Sequence, residues 1–243
     1  MAGVTAGSRG GIAVAAAGLL LLVAAGIAAE VAEAWVRRYN GPGSSWDYSN
    51  AVAVDDAGNV YVTGYSMGSE FDYDYVTIKY NSAGVGQWVR RYNGPGNGTD
   101  KVAAIVVDAA GNCYVTGESW GPGTGIDYAT VKYDAAGNEK WARRYDGPGN
   151  ATDHVHAVAV DDAGNVYVTG YSHGVNACRY ATVKYDSSGV ERWVRLYDGP
   201  AHSWDRAYGI ALDRDGNVYV TGESHCGGDA GYDYATVKYD PDG

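Results

Sequence analysis

Beyond residue 34 the chain is a succession of short runs rich in Val, Tyr, Thr and Trp, each bounded by Gly, Asn, Asp or Pro. Runs of that kind read as β-strands with turn punctuation. The segment NVYVTGYS beginning at Asn59 returns as NCYVTGES at Asn112, NVYVTGYS at Asn165 and NVYVTGES at Asn217, a period of 53, 53 and then 52 residues. Trp35, Trp88, Trp141 and Trp193 keep the same spacing, so four copies of one unit, starting near 35, 88, 141 and 193, fill residues 35–243.

In the third unit the pattern predicts strands at 156–160, 166–171, 180–185 and 191–197. Asp-Asp-Ala-Gly-Asn joins the first two and Asp-Ser-Ser-Gly the last two. Both suit tight hairpins, because Gly and Asn accept the left-handed backbone such turns need. A longer Gly-Pro loop leads to the next unit. No stretch after residue 34 sustains a 3.6-residue period, so little helix is expected. Four antiparallel strands in a repeat of about this length is the pattern of propeller blades, which stack face to face and bury both faces of their strands. If the AVAVD-like run is innermost, the Trp strand is outermost. The chain then begins with an orphan outer strand (35–39) and ends after a third strand (234–239). The fold expected is all-β: a β-propeller of four-stranded antiparallel blades in four repeats, closed by pairing the N-terminal strand with the last blade. A fragment of a longer structural repeat array, with exposed strand edges, is the alternative.

The order D-x-x-G-N-x-Y-V-T-G, then D-Y-x-T-x-K-Y-D, Gly and W-x-x-x-Y resembles the bacterial β-propeller repeats called SBBP repeats, over all residues after the leader. The resemblance implies an exported or cell-surface bacterial protein and no defined activity. It also implies propellers of seven blades, from which this chain departs with its four units.

Residues 1–34 have a different composition. Arg9 is the only early charge, and residues 11–29 are an unbroken run of Ala, Leu, Val, Gly and Ile. With Ala32-Glu33-Ala34 before Trp35, this reads as a secretory signal peptide cleaved at that point, or else as a retained N-terminal anchor. Residues 35–243 are then extracellular or at the cell surface, and a membrane is a partner only if the leader stays. The 18 basic and 29 acidic side chains give a charge of −11, which argues against nucleic acid, since phosphate binding needs a basic surface. Cys113, Cys178 and Cys226 are an odd number, so no disulfide framework is implied.

Several motifs carry candidate chemistry. Three G-x-S-x-G segments, around Ser66, Ser119 and Ser172, match the nucleophile-elbow pattern of α/β hydrolases, but they recur in phase with the repeat and no helix follows. They read as strand exits. Asp47, Asp100, Asp153 and Asp205 precede the innermost strands, where they could ring the axis around a cation or cap the preceding Gly-Pro loop. Ca2+ is the one cofactor such a ring suggests. Trp46, Trp120 and Trp204 lie in loops, with Asp47 and Asp205 beside two of them; ring stacking next to a carboxylate suits glycan or peptide recognition. His173 and His225 hold equivalent loop positions, and Trp46 and Trp204 become neighbours if the ring closes. The ligand-binding set is therefore Trp46, Asp47, Trp120, Trp204, Asp205, His173 and His225.

An enzyme site in a propeller breaks the repeat symmetry near the axis, and the carboxylates here look nearly symmetric. The expectation is thus an exported, non-catalytic binding or interaction module for a glycan or protein at the cell surface, not an enzyme. A carbohydrate-active hydrolase or lyase using loop carboxylates and aromatics is the alternative.

Overall fold

A computed structural model describes residues 32–68, 72–174, 177–227 and 231–243, so the expected leader lies almost wholly outside the described residues. The chain divides at residue 34, and residues 35–243 form one compact unit. No helix among the described residues is long and apolar enough to cross a membrane.

Four sheets follow one another along that unit. The first blade is β1 (Asp47–Val54), β2 (Val60–Met67), β3 (Tyr73–Tyr80) and β4 (Gly86–Tyr92). The second is β5 (Asp100–Val107), β6 (Cys113–Gly121), β7 (Gly125–Tyr133) and β8 (Glu139–Tyr145). The third is β9 (Asp153–Val160), β10 (Val166–His173), β11 (Cys178–Tyr185) and β12 (Glu191–Tyr197). The fourth has three strands, β13 (Asp205–Leu212), β14 (Val218–His225) and β15 (Tyr232–Tyr239). Each sheet is antiparallel and in chain order, as the repeat predicts.

Successive blades are held by one repeated clasp. Trp88 donates its indole N–H to Ala135 O at 3.2 Å, and Arg90 Nε donates to Gly137 O. Trp141 with Arg143 grips Ser187 and Gly189 in the same way, and Trp193 with Arg195 grips Pro241 and Gly243. Gly137 has φ of 81°, and a Cβ there would run into the ring of Trp88, which explains a Gly at each such hairpin. Deeper in the stack, Tyr128 and Tyr180 are fully buried and donate their hydroxyls to Ala181 O and Ala235 O of the following blade. Burying a ring of this size and satisfying its hydroxyl makes these tyrosines the main inter-blade anchors.

Ring closure within the chain is not observed, which corrects the expected architecture. Residues 35–39 form no strand and do not join β15, whose outer edge is left unpaired. The segment lies instead on the first blade. Trp35 donates to Ser82 O at 3.3 Å and Arg37 to Gly84 O at 2.6 Å, the same grip that each Trp strand applies to the next blade. The physical reason is that the Trp-Arg clasp acts between blades, so the segment is held by the blade that follows it whether or not a sheet lies beside it.

Candidate active site at the variable end of the blades

The two ends of the blades differ in kind. At one end sit the short hairpins, where Asp55 Oδ1 accepts the N–H groups of Ala57 and Asn59 while Oδ2 accepts from the Asn59 amide and the Tyr61 hydroxyl. Asp108, Asp161 and Asp213 repeat this pattern in the other blades. Both carboxylate oxygens of each of these four aspartates are occupied, which accounts for D-x-x-G-N-x-Y recurring unchanged.

At the other end the first and second strands of each blade present equivalent pairs: Tyr48 opposite Tyr65, Lys101 opposite Glu118, His154 opposite Tyr171, and Arg206 opposite Glu223. The position is structurally fourfold and chemically different in every blade. A β-bulge two residues further on leaves Asn50, Ala103, His156 and Tyr208 as the extra residues, and bulges of this kind re-aim side chains. Gly64, Gly117, Gly170 and Gly222 permit the bulge, because a Cβ at any of them would overlap the backbone of the innermost strand.

These side chains form one connected group across the second, third and fourth blades. His154 Nδ1 lies 2.6 Å from Glu118 Oε1, across the boundary between blades. The His154 ring packs on Tyr171 at 4.8 Å, and His156 flanks the same tyrosine at 5.5 Å and Tyr208 at 5.0 Å. Arg206 binds Glu223 at 2.8 Å while its guanidinium lies over Tyr171 and Trp204, and Tyr208 donates to Glu223 at 2.9 Å. Burial, then the neighbouring His154, holds His156 below the ordinary histidine range, so its ring is neutral at pH 7. A carboxylate only accepts, so Nδ1 of His154 carries a proton toward Glu118 and Nε2 is the atom left to exchange one. Both partners are about a quarter exposed.

A second group lies at the junction of the second and third blades. Asp127, Asp146 and Asp153 bring carboxylate oxygens within 4.8 Å of one another, the one metal-capable grouping among the described residues. Arg144 pairs with Asp127 at 2.5 Å, a single cation against three acids. Asp127 and Asp153 are buried, and one oxygen of each of the three carboxylates has no hydrogen-bond partner. Burial above all, with Asp127 and Asp146 adding repulsion, raises the Asp153 carboxyl to about 6. The equivalent junctions are less acidic. Asn93 stands in place of Asp146 between the first two blades, and Arg179 in place of Asp127 between the last two, where it pairs with Asp198 at 3.0 Å. The arrangement suits a hard divalent cation, which takes oxygen ligands.

The structure places the residues singled out by sequence as follows. Asp47, Asp100, Asp153 and Asp205 each accept the N–H of the loop glycine six residues earlier, Gly41, Gly94, Gly147 and Gly199. They cap their own loops, and only Asp153 belongs to the carboxylate group. Trp46 is exposed and stacks on Tyr48, while Trp204 packs against His173 and Arg206 in the open array's opposite terminal blade. The two tryptophans are not brought together by closure. Trp120 lines a pocket of about 400 Å3 with Asn97, Thr99, Lys101, Glu118 and Ile126. His173 Nδ1 lies 3.2 Å from the Cys178 sulfur, and His225 packs on Tyr232. Ser66, Ser119 and Ser172 are buried within strands, and Arg91 and Arg144 hold the first two, so the G-x-S-x-G segments are structural.

Sequence reasoning missed Glu118, Arg206 and Glu223 as site residues. The signal was present at two columns of the repeat: the residue after T-G reads Tyr, Glu, Tyr, Glu, and the residue after the strand-opening Asp reads Tyr, Lys, His, Arg. The Asp127–Asp146 part of the acidic group was invisible for another reason, since it joins residues of two blades and a loop.

With four closed-packed repeats described, comparison with known proteins fixes the class of scaffold. The family description "Beta-propeller repeat" matches residues 34–72, 87–123, 140–176 and 201–225. The chain belongs to this SBBP repeat family. No curated protein matches it. Among solved structures it is similar to one provisionally named a gluconolactonase, at 11% identity over 82% of this chain and 76% of that one, with a TM-score of 0.39. That likeness carries no argument about chemistry.

The expectation of a non-catalytic module rested on symmetric carboxylates, and it is corrected here. Among the described residues such acids converge at one junction, that of Asp127, Asp146 and Asp153, so the carboxylates are not symmetric.

Proposed function

We propose that the domain is an exported carbohydrate-active enzyme, a hydrolase or lyase that works by general acid–base catalysis at the variable end of the blades. The observation that carries this reading is the Glu118–His154 contact at 2.6 Å, made between two blades at positions that hold other chemistry in the remaining blades. Glu118 orients the imidazole, and Nε2 of His154 removes or delivers the proton. Lys101 and Arg206 flank the pair and attract an anionic group on the substrate, such as a uronate carboxylate. Tyr171 and Trp204 offer ring faces for sugar stacking. Ca2+ held by Asp127, Asp146 and Asp153 fixes the β7 and β9 starts relative to each other; the ion is positional in this reading. The leader directs export, and N-terminal sequencing of secreted protein tests that step.

The deciding experiment incubates the chain with a panel of neutral and uronate-containing polysaccharides. New reducing ends report hydrolysis, and ultraviolet-absorbing unsaturated ends report elimination. Turnover lost in Glu118→Gln and His154→Asn supports the reading. Binding of a glycan without turnover, or turnover unaffected by both substitutions, overturns it.

A further inference from the structure

The second blade carries a tryptophan at a strand position where the other blades carry none. β6 runs nine residues, one more than β2, β10 and β14, and Trp120 pairs with Ile126 next to the added rung. The ring is therefore held by a strand. It lies on the turn before β5: a Cβ at Gly96 would collide with the indole, and one at Gly98 would come within 3.1 Å of it. Neither glycine has a positive φ, so the ring itself excludes a side chain there. The Gly98 position holds Ser45, Ala151 and Ser203 in the other units, and the Trp120 position holds Met67, His173 and His225. Glycine stands at the first only where tryptophan stands at the second. Seated in this way, Trp120 is still 42% exposed.

The pocket of about 400 Å3 beside this ring adjoins the candidate active site. Trp120 and Ile126 are its apolar residues, and Asn97, Thr99, Lys101 and Glu118 its polar side chains. Glu118 gives one carboxylate oxygen to His154, and Lys101 enters none of the ion pairs among the described residues. The pocket thus offers a flat apolar ring, neutral hydrogen-bonding groups and one cation free to meet a carboxylate. A pyranose that bears a carboxyl group matches all three, through its C–H face, its hydroxyls and its charge. Contacts order the rest of the site. Glu118 lines the pocket and reaches His154, which stacks on Tyr171, and Arg206 lies over both Tyr171 and Trp204. The pocket is on one side of the reacting pair and the other aromatic faces are on the opposite side.

We propose that the Trp120 pocket is a subsite for one uronate residue of a polysaccharide. Sugars then occupy both sides of the Glu118–His154 pair, so the substrate is an anionic chain held at an internal position rather than by its end. That placement rests on the acid–base reading of the pair; the binding of the uronate does not.

The test titrates trisaccharides of galacturonate, glucuronate and mannuronate, and their methyl esters, into the full chain carrying His154→Asn, which keeps turnover from disturbing the calorimetry. At least one uronate is expected to bind. Trp120→Ala should weaken it by about tenfold or more, and Trp120→Phe should recover most of that loss. Esterification and Lys101→Met should each weaken binding about fivefold, and together no more than either alone, because both remove the same contact. Val190→Ala, at an exposed position of the hairpin end, should leave the affinity unchanged, and circular dichroism shows that each variant folds. No binding of any of the three uronates overturns the proposal, as does binding untouched by Trp120→Ala or equal binding of the methyl esters. With the wild-type chain the two readings separate. Uronate binding that depends on Trp120 but leads to no turnover leaves the subsite standing and overturns the catalytic reading. Turnover whose KM ignores Trp120→Ala overturns the subsite and leaves catalysis standing.

Discussion

Carboxylates at the two ends of the blades titrate in opposite directions. At the hairpin end, hydrogen bonds from Asn217, its backbone N–H and Tyr219 hold Asp213 down at about 2. At the variable end burial raises Asp100, Asp146 and Asp153, the last to about 6. The hairpin supplies local donors to both oxygens of its leading aspartate, whereas the variable end gathers acids from different blades faster than it provides donors. One end is therefore built for stability, and the other holds groups whose charge remains negotiable, which is the condition of a functional site.

The largest effect expected from breaking this difference is catalytic. Glu118→Gln should lower kcat by about 100-fold or more while leaving the melting temperature within a few degrees, because the lost contact is partly exposed and its role is proton transfer. Asp161→Ala at the hairpin end should do the reverse. It removes the acceptor of several hydrogen bonds and should cost about 2 kcal/mol in a urea titration, with turnover per folded molecule unchanged.

Acidification separates the ends on a smaller scale. Asp153 has a raised folded pKa, so the folded state binds a proton more tightly than the unfolded chain. Stability should rise as the pH falls from about 7 to about 5. The lowered hairpin acids act oppositely, and stability should fall again as the pH drops below about 4. Asp153→Asn should flatten the upper limb of a melting-temperature profile and leave the lower limb. Ca2+ should raise the melting temperature more at pH 7.5 than at pH 5, since protonated acids do not bind the ion. The smallest effect expected is that of Trp46→Ala, whose ring is 65% exposed, at no more than about 0.5 kcal/mol in the same titration.

Strand positions, hairpins and blade count were legible in the sequence because each is a local rule stated four times: a φ above zero demands Gly, and a hairpin acid demands nearby donors. Part of the candidate site was legible too, since Asp153 and Trp204 stand out at fixed places in the repeat. What pairs across blades was not. Glu118 meets His154 only because adjacent blades bring positions 36 residues apart into contact, and Asp127, Asp146 and Asp153 converge only where two sheets and a loop meet.

The destination of residues 35–40 was likewise decided by tertiary structure. Their pattern says outer strand, but a strand's partner depends on which blade lies beside it, and the clasp to Ser82 and Gly84 holds without any such neighbour. Sequence by itself determined the unit, because the interactions that shape a blade lie within one repeat. Only the packing of blades decided the chemistry, because its residues come from different repeats and share no local pattern.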